Sequence, residues 1–103
     1  MVKIAFFVPE DHKEVVKAAM FAVGAGKIGN YDQCCWEVEG VGQFRPLDGA
    51  EPFLGAVGAL ESVKEFKVEM VCADDKVSSV VRALKQAHPY EEPAYDVIAL
   101  LDI

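Results

Sequence analysis

Apolar and polar residues recur along this chain with two different periods, and the changes between them mark out six regular elements. Val2 to Pro9 is a short apolar run carrying Phe6 and Phe7 and closed by a proline, which predicts a strand. Because nearly every position in it is apolar, the strand is expected to be central in its sheet. Acidic Glu10 and Asp11 then open a helical pattern, with Val15, Ala19, Ala22 and Val23 at helical spacing and Gly24 as the stop, so a helix is expected over about residues 11 to 24. From Asp32 to Glu39 the period becomes two, with Cys34, Trp36 and Val38 opposed by Cys35, Glu37 and Glu39. Gly40-Val41-Gly42 is expected to break that strand, and residues 43–60, rich in Gly, Pro and Ala, form a long insertion. Insertions of this length in compact domains usually carry function or move. Alternation resumes at Ser62, with Lys64, Phe66, Val68, Met70 and Cys72 facing away from Glu65, Lys67, Glu69 and Val71. Asp74-Asp75 is expected to cap a second helix, whose apolar stripe is Val77, Val80, Val81 and Leu84 and which runs to about Ala87. Pro89 and Pro93 forbid its continuation, and Tyr95 to Leu101 supplies the last strand.

The order is β-α-β-β-α-β. Right-handed crossovers turn it into an antiparallel four-stranded sheet with both helices on one face, an α+β ferredoxin-like sandwich forming a single domain over residues 1–103. The other sheet face is left open. Strands two and three are expected to present charge there, whereas strands one and four are apolar on both sides: Ala5 and Phe7 oppose Ile4, Phe6 and Val8, and Val97, Ala99 and Leu101 oppose Ile98 and Leu100. An uncovered apolar half-face of this kind meets a partner subunit or the folded-back insertion.

Composition narrows the class. With 52% hydrophobic and 26% charged residues, the 103-residue chain reads as an ordinary globular domain. Its longest apolar stretches fall far short of the ~20 residues a membrane helix needs. The run after Lys3 stops at Pro9-Glu10-Asp11, unlike a secretory signal, so a cytoplasmic location is expected. Ten basic residues face seventeen acidic ones, for a net charge of −7, and that balance repels nucleic acid and anionic membrane surfaces. Three cysteines, with Cys34 and Cys35 adjacent, make no disulfide framework.

Two segments hold candidate chemistry. Gly24-Ala25-Gly26-Lys27-Ile28-Gly29 matches G-x-G-x-x-G letter for letter, but a dinucleotide fingerprint must follow a strand and open a helix, and these glycines close a helix instead. A tight helix-to-strand connection with positive φ accounts for them; alternatively, the loop's amides hold an anion. Gly24, Gly26, Gly29, Asn30 and Tyr31 are therefore candidate ligand contacts. The second segment is His88-Pro89-Tyr90-Glu91-Glu92-Pro93, where the prolines preset how His88, Tyr90, Glu91 and Glu92 leave the helix end. His88 and Glu91, with Cys34 or Cys35, form the one conceivable donor set for a divalent zinc or copper ion. No C-x-x-C or H-E-x-x-H spacing supports it, and adjacent cysteines on a strand point to opposite faces, so at most one reaches His88. In the structural alternative, one cysteine packs beside Trp36 and His88 caps the preceding helix. No nucleophile elbow, P-loop or spaced acid pair is present, so no catalytic residue is assigned.

Taken together, the segment from Gly24 to Tyr31, Cys34, Gly40 to Pro46, Glu51-Pro52 with Gly55, and His88 to Asp96 resemble the inserted domain of the Nif-three-like (NGG-interacting factor three) family, similar in fold to CutA and the PII signalling proteins. His88-Pro89-Tyr90-Glu91 also resembles the closing motif of CutA. The resemblance implies a CutA-like fold, a tendency to trimerise, and a regulatory role responsive to a small ligand or metal. Full-length members carry a two-metal site in flanking domains, and some are named GTP cyclohydrolases of type two. The residues of that chemistry are not in this segment, so the resemblance implies a non-enzymatic module or, alternatively, part of a metal-dependent hydrolase completed by another chain. The insertion lacks the basic, tyrosine-bearing character of the PII nucleotide loop.

Overall fold

The computed structural model describes residues 1–103. Its elements are β1 (Val2–Pro9), α1 (Glu10–Ala22), β2 (Trp36–Phe44), β3 (Glu61–Cys72), a single 3-10 turn (Asp74–Lys76), α2 (Val77–Ala87) and β4 (Tyr95–Ala99). The strands form one antiparallel sheet in the order β2-β3-β1-β4, so the apolar β1 is central as expected, beside the alternating β3, while the apolar β4 is an edge strand. This is the ferredoxin-like arrangement expected from the sequence. None of its helices is long and apolar enough to cross a membrane.

The core lies between the sheet and the two helices. Ile4, Phe6 and Val8 of β1 alternate inward beside Val68, Met70 and Cys72 of β3, and meet Val16 and Met20 of α1 and Val80 and Leu84 of α2. The stripe of α2 is the expected one. That of α1 is rotated: Val15 is exposed, while Val16 and Met20 are buried. The sequence of α1 is ambiguous because small and apolar residues nearly encircle its last two turns, and packing against β1 decides between the faces. Asp74 and Asp75 make no capping bond; they occupy the 3-10 turn that leads into α2.

The largest departure concerns β2. Its glycines do not end it; the strand runs on through Gly40 and Gly42 to Phe44, paired residue by residue with β3 back to Glu61. Since Pro9 pairs with Glu65, the outer part of this hairpin extends beyond the end of β1. The acidic face of β2 also turns toward the helices. Lys13 and Lys17 of α1 both ion-pair with Glu37, the latter at 2.9 Å, and hold its carboxyl below the usual range. Trp36, Val38 and Phe44 therefore lie on the open face, where charge had been expected on β2. On β3 the expectation holds, with Glu65, Lys67 and Glu69 on that face.

Candidate functional site

The open face of the sheet is walled at one end. Phe7, Val38, Gly40 and Gly42 form a floor, the insertion rises on one side through Pro46, Pro52 and Phe53, and the turn after α2 closes the other with Tyr90 and Glu91. The enclosed cleft has a volume of about 490 Å³, within the range of about 300–1,000 Å³ common for small-molecule sites.

Short-range rules position each wall. Helix α2 ends at Ala87 because Pro89 cannot continue it, and the His88 amide makes the last helical bond to the Leu84 carbonyl at 2.9 Å. The buried His88 ring then turns inward. Its Nε2 lies 2.7 Å from the Phe7 carbonyl oxygen, and its Nδ1 lies 3.1 Å from the Tyr90 amide nitrogen. A carbonyl only accepts and an amide N–H only donates, so Nε2 carries the proton and Nδ1 accepts. Burial lowers the His88 pKa below its ordinary value; the Phe7 carbonyl and nearby Glu65 oppose that shift, and His12 reinforces it. The neutral ring is thus a rivet between β1 and the turn.

Tyr90 completes the connection. Its hydroxyl donates to Glu65 Oε2 at 2.8 Å, and burial together with that bond raises its pKa far above the ordinary phenol value. Glu65 is only 9% exposed. Room for it comes from β2, where a β-carbon on Gly42 would overlap the Glu65 carboxylate. Glycine inside a strand commonly marks such a close approach. The insertion is held by Glu91, whose carboxylate accepts the Glu51 amide with both oxygens at 3.3 Å, and by Phe53, whose ring packs against Tyr90 and meets His12 edge to face at 5.3 Å. His12 Nδ1 is buried there without a hydrogen-bond partner.

Of the residues singled out from the sequence, His88, Tyr90, Glu91 and Glu92 come together at this end of the sheet. The Gly24 to Tyr31 loop does not join them. Gly26 donates to the Val71 carbonyl at 2.8 Å, and Val71 lies four residues along β3 from the partner of Phe7, a separation of roughly 13 Å at strand spacing. Gly24, Gly26 and Gly29 have positive φ as a tight connection requires, and the amides of Gly24, Gly26, Ile28 and Tyr31 are bonded within the chain. Asn30 sits at the tip of the small hairpin closed by Ile28 and Tyr31, whose side chain is exposed.

The proposed donor set is likewise divided. The Cys34 amide bonds the Gly26 carbonyl at the far end of the sheet, and Cys35 packs against the core. No three His, Cys, Asp or Glu side chains converge closely enough to hold a metal ion, and both nitrogens of His88 are already engaged. Sequence reasoning missed Glu65, Gly42 and Phe53. The available signal was the pair Gly40 and Gly42, two residues apart and facing the same side of a strand.

No family model matches the chain. It is 48% identical over 99 residues to a protein of Mycobacterium leprae named GTP cyclohydrolase 1 type 2 homolog, and 47% identical over 95 residues to the Bacillus subtilis protein of that name. These alignments cover 96% and 92% of the chain but 26% of each relative, so the chain spans about a quarter of the length of the curated relatives it matches. Among solved structures, a Bacillus cereus protein related to NIF3 superposes with a TM-score of 0.84 at 40% identity, over 98% of this chain and 26% of that one. The divalent cation tolerance protein CutA of Archaeoglobus fulgidus gives 0.69 at 17% identity, over 97% and 84%, a likeness of fold alone. Over nearly its whole length the chain is therefore homologous to a segment of NIF3-family proteins, and its fold is CutA-like.

Proposed function

We propose that this domain is a non-enzymatic binding module whose ligand is a small organic molecule held in the cleft between the sheet, the insertion and the His88 to Glu92 turn. The observation that carries this reading is the cleft itself: an apolar floor, three aromatic rings and a buried carboxylate brought together from β1, β2, β3, the insertion and the turn. An organic ligand fits better than zinc or copper, since a metal at His88 Nδ1 would have to displace the Tyr90 amide and one at Nε2 the Phe7 carbonyl. Saturation-transfer NMR of the purified domain against a set of small polar metabolites tests the reading. Binders competing for one site support it, and a set without any binder overturns it.

The module is also proposed to self-associate, as a trimer if the family resemblance carries over. The chain exposes 6646 Å², whereas a compact monomer of its mass exposes about 5,700 Å². Trp36 and Ile98, 62% and 54% exposed, share the half of the open face away from the cleft, so association there leaves the ligand site accessible. A second reading is favoured by the names and lengths of the relatives: the same cleft serves a larger metal-dependent hydrolase, with chemistry supplied outside this domain. Loss of that enzyme's regulation, with its basal turnover kept, in a cleft variant of the full-length relative would favour this second reading.

A further inference from the structure

We propose that the cleft selects a planar organic cation of amidinium or guanidinium type, carried on an apolar body and read by Glu65; this rests on the reading of the cleft as a ligand site. The argument starts from an incomplete electrostatic arrangement. Glu65 is nine-tenths buried, yet its only bonded partner is the neutral Tyr90 hydroxyl on Oε2. No lysine or arginine pairs with it: the nearby cation on the same strand, Lys67, is turned to Glu69 at 3.7 Å. A buried carboxylate without a counterion is costly, and a cationic donor entering the cleft relieves that cost.

The walls specify more than charge. Three carboxylates, Glu65, Glu91 and Glu92, line the cleft against two cations, Arg45 and Lys67, while the carboxylate of Glu39 is turned to Lys64 on the other face. Beside Glu65, Gly40 and Gly42 leave the floor without side chains, and nothing stands within 4 Å of where a Gly40 β-carbon would be. A flat group can therefore lie along the backbone of β2 and reach the carboxylate edge-on, the geometry in which paired N–H donors meet a carboxylate. Tyr90 stands between Phe44 and Phe53, with ring centroids 6.2 and 6.3 Å away. These faces favour a delocalised cation over a strongly hydrated ammonium.

Benzamidine is the probe, with benzoate and benzyl alcohol as the anionic and neutral bodies of matching size, each titrated into the ¹⁵N-labelled chain. Benzamidine is expected to shift the amides of Gly40 to Phe44 and Tyr90, and to bind at least tenfold more tightly than either analogue. Glu65→Gln, which keeps the side chain's shape, is expected to weaken it at least tenfold, or about 1.4 kcal/mol. Asp75→Asn, a removal of charge in the exposed 3-10 turn outside the cleft, is expected to change it less than threefold. Equal cleft binding by benzamidine and benzyl alcohol, unaffected by Glu65→Gln, would overturn the assignment of ligand class while leaving the cleft as a binding site. A loss in Asp75→Asn as large as that in Glu65→Gln would also overturn it. The absence of cleft shifts with all three probes would overturn the class and count against the cleft itself.

Discussion

Replacing His88 with alanine removes the rivet between β1 and the turn, and the size of the effect follows from its two bonds. The Phe7 carbonyl loses a 2.7 Å partner and the Tyr90 amide a 3.1 Å partner. Each orphaned buried group costs about 1–3 kcal/mol, so a loss of about 3 kcal/mol is expected. For a chain of this length that lowers Tm by about 15 °C. The same ring gives a pH signature. Burial lowers its pKa in the folded state, so on acidification the unfolded chain binds the proton first. Stability from this group is complete above the ordinary histidine value of 6.5 and declines as pH falls below it, with a limiting slope of about 1.4 kcal/mol per pH unit. Urea melts of wild type and His88→Ala at pH 7.5, 6.5 and 5.5 measure both effects. Wild type is expected to approach the variant as pH falls. A variant within 1 kcal/mol of wild type at pH 7.5, or an unchanged difference between the two across the series, would refute the reasoning.

Further outcomes follow from other parts of the structure. Glu37→Gln loses its bonds to Lys13 and Lys17; because the folded carboxyl has a lowered pKa, its contribution is present above the ordinary value of 4.5 and lost as pH falls through the folded one. The variant should therefore differ from wild type by less than about 1 kcal/mol at pH 7, and by less again at pH 3, in denaturant melts. Multi-angle light scattering at micromolar concentration should give a homo-oligomer, and Trp36→Glu with Ile98→Glu should shift it toward monomer; a wild-type monomer would refute the association. The purified domain should not turn over GTP with zinc or manganese present, since its two histidines do not converge with other donors. Turnover that survives repurification and is lost in a cleft variant would contradict this.

What could be read from the sequence divides along physical lines. The strands β1 and β3, the stripe of α2 and the proline-bounded turn rest on local rules of periodicity and backbone restriction, and each folds as those rules require. The faces of α1 and β2 were not local properties. Val15 and Val16 are equally apolar, and only the sheet beneath them distinguishes the two; Glu37 faces the helices because two lysines from α1 reach it. The site was legible in half. His88 to Glu92 stood out because two prolines frame it, whereas Glu65 looked like one more solvated acid in an alternating strand. Its role depends on a strand neighbour lacking a side chain and on a tyrosine 25 residues away, a juxtaposition that only the register of β2 on β3 creates. The Gly24 loop attracted notice for its letters, but its glycines serve the turn out of α1.

Gly40→Phe offers the most direct test that the cleft is the functional site. The position faces the cleft, has no positive φ and meets no atoms where its β-carbon would lie, so the ring should fill the space without disturbing the sheet. Small molecules that bind the wild-type chain are to be followed by ¹H–¹⁵N spectra in both proteins. They should shift Gly42, Phe44, Phe53 and Tyr90 in the wild type and bind at least tenfold more weakly to a folded Gly40→Phe. Unchanged affinity in that variant, or shifts confined to the Gly24 to Tyr31 end of the sheet, would contradict it.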